Sequence, residues 1–104
     1  MGSAPVEITK NVKKFLRAVK QSKRVEMAFV YGSWVKGRAD KWSDIDVAVV
    51  SPDFSEDLFE ERAWLMRLAA TLDDRIEPHP FRPEDFNANH PLVSEIRRSG
   101  VRVS

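Results

Sequence analysis

Gly32-Ser33, a gap of ten residues, and then Asp44-Ile45-Asp46 is the stretch whose residue types and spacing can do chemistry. On a strand alternate residues share a face, so Asp44 and Asp46 point together while Ile45, Val47 and Val49 point into a core. Two neighbouring carboxylates repel unless one takes a proton or a cation sits between them. Their oxygens are hard ligands, which suits magnesium, with manganese as the alternative. Two such ions held ~4 Å apart can clamp the attacking and leaving oxygens of an in-line displacement at phosphorus. Gly32-Ser33 supplies the other half. Glycine lets the backbone turn sharply and approach a ligand, and the turn that follows offers free amide groups to phosphate oxygens. The Ser33 hydroxyl adds a donor or caps the turn. The bland alternative, an acidic strand edge that aids solubility, leaves the Gly-Ser corner and its spacing unexplained.

A third acid on a neighbouring strand would complete the shell of one metal, and Glu77 is the best candidate; Asp73 and Asp74 stand closer to a helix end. Lys36 and Arg38 lie between the motif halves and either neutralise phosphate charge or belong to a solvated loop. His79 shares a strand face with Glu77 and either touches the site or sits at an exposed edge. Trp34 and Trp42 flank the loop and either stack on a base or cover the core or a partner.

The elements that must hold these groups follow from periodicity. Residues 6–22 read as a helix with an apolar stripe at Ile8, Val12, Phe15, Leu16 and Val19. Its lysines form a solvated face or, less simply, a basic face for RNA. Residues 25–31 and 44–50 read as buried strands, the first ending at the Gly32-Ser33 corner and the second at Ser51-Pro52, with a helical turn over 34–38. Residues 55–72 read as a helix with Ser55 as N-cap. Leu58, Leu65, Leu68, Ala69 and Leu72 form its core stripe, with Trp64 at the edge. A second stripe runs through Phe59, Ala63, Met66 and Ala70, and is either covered within the chain or contacts something else. Residues 75–81 read as a strand that lies at an edge or ends early, because Pro78 and Pro80 lack ladder donors. A turn at 83–86, a helix over 90–99 stopped by Gly100, and a short strand at Val101 and Val103 complete the chain.

The 104 residues fit one domain of 1–104, with residues 1–5 set aside; Met1-Gly2-Ser3 reads as a cloning remnant. Net charge is +1, which gives no strong field for nucleic acid or an anionic membrane. No apolar run approaches the ~20 residues of a membrane span, and no apolar leader is visible at the N-terminus. The absence of cysteine removes disulfides and thiolate zinc sites and fits a cytoplasmic setting.

Tyr31-Gly32-Ser33 with Ser43-Asp44-Ile45-Asp46-Val47 resembles the signature of the DNA polymerase beta-type nucleotidyltransferases, and the short length resembles their minimal members. The resemblance spans roughly residues 8–103. It implies a small mixed α/β sheet flanked by helices. It also implies transfer of a nucleoside monophosphate, AMP from ATP being favoured, with two magnesium ions and release of pyrophosphate. Carried over by position, Asp44 and Asp46 bind metal, Glu77 binds the catalytic ion, and Gly32 and Ser33 hold the triphosphate. The third acid is often aspartate in the family, so Glu77-Pro78 departs from it. Minimal nucleotidyltransferases often pair with small helical HEPN proteins as toxin–antitoxin modules, some adding AMP to a partner tyrosine. Phe59 and Met66 on the 55–72 helix then become a docking face for such a partner or for a homodimer. The alternatives are a binding module that neutralises a partner by contact alone, and transfer to a small molecule.

Overall fold

The stripe at Ile8, Val12, Phe15, Leu16 and Val19 forms α1, Val6–Lys20, and all five side chains are buried. The computed structural model describes residues 5–87 and 89–104. Residues 1–4, set aside above, lie outside the described residues. Pro5, set aside with them, is placed and leads into α1, its carbonyl accepting from the Thr9 amide at 3.0 Å.

Four strands form one mixed sheet: β1 Met27–Tyr31, β2 Ile45–Val50, β3 Ile76–Phe81 and β4 Val101–Arg102, in spatial order β3-β2-β1-β4. β1 pairs antiparallel with β2 and β4, while β2 and β3 run parallel. Parallel neighbours need a crossover, and α2, Leu58–Ala70, supplies it. Pro78 and Pro80 sit in β3 at the sheet edge, where missing ladder donors cost least. The expected mixed sheet flanked by helices is therefore the observed fold.

Side chains alternate across the sheet, and each face has its own core. Ala28, Val30, Ile45, Val47, Val49 and Ile76 pack under α1 and under Leu65 and Ala69 of α2. Phe29, Tyr31, Ala48, Val50 and Phe81 face the other way, against Phe86 and against Val93 and Ile96 of α3, Pro91–Ser99. β2 thus has Ile45, Val47 and Val49 on one face and Asp46, Ala48 and Val50 on the other.

Several boundaries differ from the sequence reading. β2 begins at Ile45, so Asp44 stands one residue before the ladder. The turn after β1 starts earlier than 34–38, as a 3-10 turn over Gly32–Trp34. Ser55 is not the N-cap of α2. Asp57 is, its carboxylate accepting from the Glu60 amide at 3.1 Å, while the Ser55 hydroxyl accepts from the Asp57 amide at 3.2 Å. α2 ends at Ala70, so Leu72 lies beyond it and is 44% exposed rather than in the core stripe. Among the described residues no helix is long and apolar enough to cross a membrane.

The segment from α2 into β3 is fastened by Asp73, whose carboxylate accepts from Arg75 at 2.7 Å and from the Asn11 amide group of α1 at 3.0 Å. The Arg75 hydrogen bond, with Asn11 assisting, holds the Asp73 carboxyl at about 2 against an ordinary 3.8. A depressed carboxylate pKa stabilises the fold above the unfolded value and loses that contribution as pH falls through the folded one. Asp73→Asn should therefore cost roughly 1–2 kcal/mol at pH 7. Chemical denaturation of both proteins should show the difference shrinking between about pH 4 and pH 2.

Candidate active site

The corner after β1 is built around a backbone only glycine adopts comfortably. Gly32 has φ +82°, in the left-handed region that L side chains avoid. Its position also leaves no room for one: a Cβ there would run into Oδ2 of Asp46. The β1–β2 register places Tyr31 beside Asp46, which brings the corner and the carboxylate together. The Gly32 carbonyl accepts from Val35 and Lys36, at 3.2 Å each, and the Ser33 carbonyl from Arg38 at 3.0 Å. The chain thus curls tightly around the 3-10 turn. The Ser33 hydroxyl makes no hydrogen bond among the described residues, so it is not serving as a cap.

On the other side, the β2–β3 register pairs Asp46 with Glu77. Partnered residues share a face, so Glu77 and His79 point to the face that carries Asp46. Glu77 is engaged by Arg62 of α2, which donates to it at 2.9 Å and to the Pro78 carbonyl at 3.1 Å. His79 Nε2 stands 3.7 Å from Asp46 Oδ1. Asp44 is exposed immediately before β2, and continuing the strand alternation one step back would bring it to the face of Asp46.

Lys36 lies 3.6 Å from Glu95 of α3, and Arg38 is exposed on the loop. The sequence alone assigned no role to Arg62 or Glu95. A lone arginine or glutamate on a helix carries no positional signal until the partner strand is known. Burial pushes the Tyr31 hydroxyl well above the ordinary phenol value, and the charges of Asp46 and Glu95 add to the rise. Tyr31 therefore stays protonated at neutral pH, its ring packed against His79.

The loop between the motif halves is fixed from both ends. Trp34 Nε1 donates to the Ser43 carbonyl at 3.1 Å. Asp40 Oδ1 accepts from the Trp42 amide at 2.8 Å, and the Ser43 hydroxyl accepts from the Asp40 amide at 3.0 Å. Trp42 is 78% exposed and Lys41 lies over its ring, 5.0 Å from the centroid. It does not cover the core.

Asp46 against the Gly32 corner, with Glu77 paired to it in the register, offers hard oxygen donors of the kind a divalent cation takes. Among the described residues no three His, Asp or Glu side chains converge into a ready-made metal cage. Magnesium tolerates that, because it is commonly held by one or two carboxylates with water and substrate phosphates completing its shell.

Residues 12–99 match the nucleotidyltransferase domain family. The chain belongs to that family. Its small mixed sheet flanked by helices is the architecture of that domain. One similar solved structure is a toxin–antitoxin crystallised with AMP-PNP, at TM-score 0.66 and 20% identity, covering 92% of this chain and 72% of that one. Another is a protein from Sulfolobus solfataricus assigned as a nucleotidyltransferase, at TM-score 0.61 and 19% identity, covering 93% and 79%. At these identities the likeness is one of fold. No curated protein is significantly similar in sequence.

Proposed function

We propose that this nucleotidyltransferase domain transfers AMP from ATP to a hydroxyl group on a partner protein. The observation that carries the reading is the meeting of three elements: the Gly32 corner against Asp46 Oδ2, with Glu77 paired beside Asp46 in the register. The Gly32-Ser33 turn offers amides and a free hydroxyl to the phosphates, and Lys36 and Arg38 line the loop that leaves it. Asp44, Asp46 and Glu77 hold magnesium, or manganese in its place. When bound, the two ions supply charge neutralisation and in-line alignment at the α-phosphorus. The acceptor oxygen forms a bond to that phosphorus, and the α–β bridging bond breaks. Pyrophosphate departs with the electron pair, and the acceptor proton passes to a carboxylate of the cluster or to water. The chain's own contribution is positioning and preorganised charge.

A protein acceptor is favoured by α2. Phe59 is 81% exposed and Met66 is 41% exposed on one face of that helix, an apolar stripe that α1 and the sheet leave uncovered. The motif resemblance, with a toxin–antitoxin among the similar solved structures, favours a small helical HEPN-type protein as the first candidate, with a second copy of this chain as the other occupant. Incubation with labelled ATP, magnesium and the candidate should transfer label to the candidate, and EDTA should abolish transfer. Phe59→Ser with Met66→Ser should leave the thermal midpoint within a few degrees and raise the KM for a protein acceptor about tenfold or more. Neutralisation of a toxin partner that survives Asp44→Asn and Asp46→Asn would instead favour a module acting by contact. Label appearing only on a small molecule would move the acceptor to that class.

A further inference from the structure

We infer that His79 is a positioning residue that orients Asp46 for metal binding, an inference that rests on the reading of Asp46 as a metal ligand. The two carboxylate oxygens of Asp46 face different neighbours. Oδ2 is turned to the Gly32 corner, in the space a side chain there would occupy. Oδ1 is turned to His79 Nε2 at 3.7 Å. A carboxylate with one oxygen held by a donor presents the other in a fixed direction, and such outer partners of metal ligands tune affinity.

The imidazole is well placed to do this. His79 lies between Pro78 and Pro80, whose rings restrict the backbone on both sides. In the register it stands opposite Ala48, a small residue that leaves the diagonal path to Asp46 open. Its ring packs against the buried Tyr31, centroids 5.9 Å apart and planes at 53°. At 3.7 Å the approach is longer than a hydrogen bond, so the imidazole would have to turn toward Oδ1 to donate to it. Glu77 has the corresponding partner in Arg62, at 2.9 Å. Each of the two neighbouring acids therefore has a side-chain nitrogen beside it, in hydrogen-bonding contact at Glu77 and just beyond it at Asp46.

The test separates the donor from the ring. Mn2+ binding is measured by electron paramagnetic resonance in the presence of a non-hydrolysable ATP analogue, for the wild type, His79→Gln, His79→Phe and Asp46→Asn. Glutamine keeps a donor near the place of Nε2 without the ring; phenylalanine keeps the ring against Tyr31 without the donor. The expected result is Mn2+ affinity about 10–100-fold weaker in His79→Phe and within a few-fold of wild type in His79→Gln. Equal weakening of both variants, or loss in His79→Gln alone, overturns the inference by making the role one of packing. Unchanged affinity in both overturns it while leaving the metal site standing. A directly coordinated nitrogen seen in the wild-type spectrum and lost in His79→Gln also overturns it, because His79 would then be a ligand. Wild-type protein that binds no Mn2+, or binds it as well as Asp46→Asn does, overturns the metal-site reading together with this one.

Discussion

Asp46→Asn should lower nucleotidyl transfer by on the order of 10³-fold or more while leaving the protein folded, equivalent to roughly 4 kcal/mol of transition-state stabilisation. The size follows from what the carboxylate is asked to do. It stands beside the Gly32 corner on one side and Glu77 on the other. An amide there keeps the shape and loses the charge that, on the proposed reading, holds a divalent ion. Asp44→Asn should fall to a similar level, and the double variant little further, because the two acids act as one unit and their losses do not add. Stability should change little. Asp46 is half-buried and stands 3.7 Å from His79, beyond hydrogen-bonding distance, so little folding energy rests on its charge. Single-turnover label transfer and thermal unfolding on the same preparations check both halves. Activity lost in step with unfolding would mean that Asp46 is structural.

Gly32→Ala should be damaging in two ways that can be told apart. A residue with a Cβ at φ +82° pays roughly 1–2 kcal/mol of backbone strain, and its methyl carbon would also displace Asp46 Oδ2. The expected result is a thermal midpoint lower by about 5–15 °C and an activity loss of about 10²-fold or more. Gly37→Ala is the matched control. Gly37 also has positive φ, +71°, but a Cβ there meets nothing within 4 Å. It should therefore show the backbone cost with a much smaller effect on transfer. Equal activity losses in the two variants would mean that the loop's flexibility, rather than the Gly32–Asp46 approach, is what matters.

The fold was legible because its signals are local and repeated. The stripe from Ile8 to Val19 is a helix by spacing alone, and Val47 with Val49 reads as buried strand on either face. Pro78 and Pro80 announce an edge before any sheet is seen. Errors fall at element ends, where two chemically equivalent residues compete. Ser55 and Asp57 are both good caps, and the Asp57 carboxylate reaches the Glu60 amide while the Ser55 hydroxyl takes the Asp57 amide. Leu72 fits the heptad-like pattern of α2 yet falls past its last turn.

The candidate site was legible in its linear part, Gly32-Ser33 and Asp44-Ile45-Asp46. What joins them to the rest depends on register. The antiparallel pairing of Tyr31 with Asp46 and the parallel pairing of Asp46 with Glu77 cannot be read from spacing, because the α2 crossover lies between β2 and β3. Arg62 on Glu77 and Glu95 beside Lys36 are invisible for the same reason. The second apolar stripe of α2 was legible as a stripe, and its exposure at Phe59 and Met66 needed the packing of α1 and β3 to be known.

The most direct measurement is calorimetric titration of a non-hydrolysable ATP analogue into the protein with and without magnesium, repeated with Asp44→Asn and Asp46→Asn. Tight binding that needs both the divalent ion and the two acids is the expected result, with affinity about tenfold or more weaker when any one is removed. Binding of equal strength in EDTA, or in both variants, would contradict the claim that the bend at Gly32-Ser33 and this acidic pair form one metal–triphosphate site.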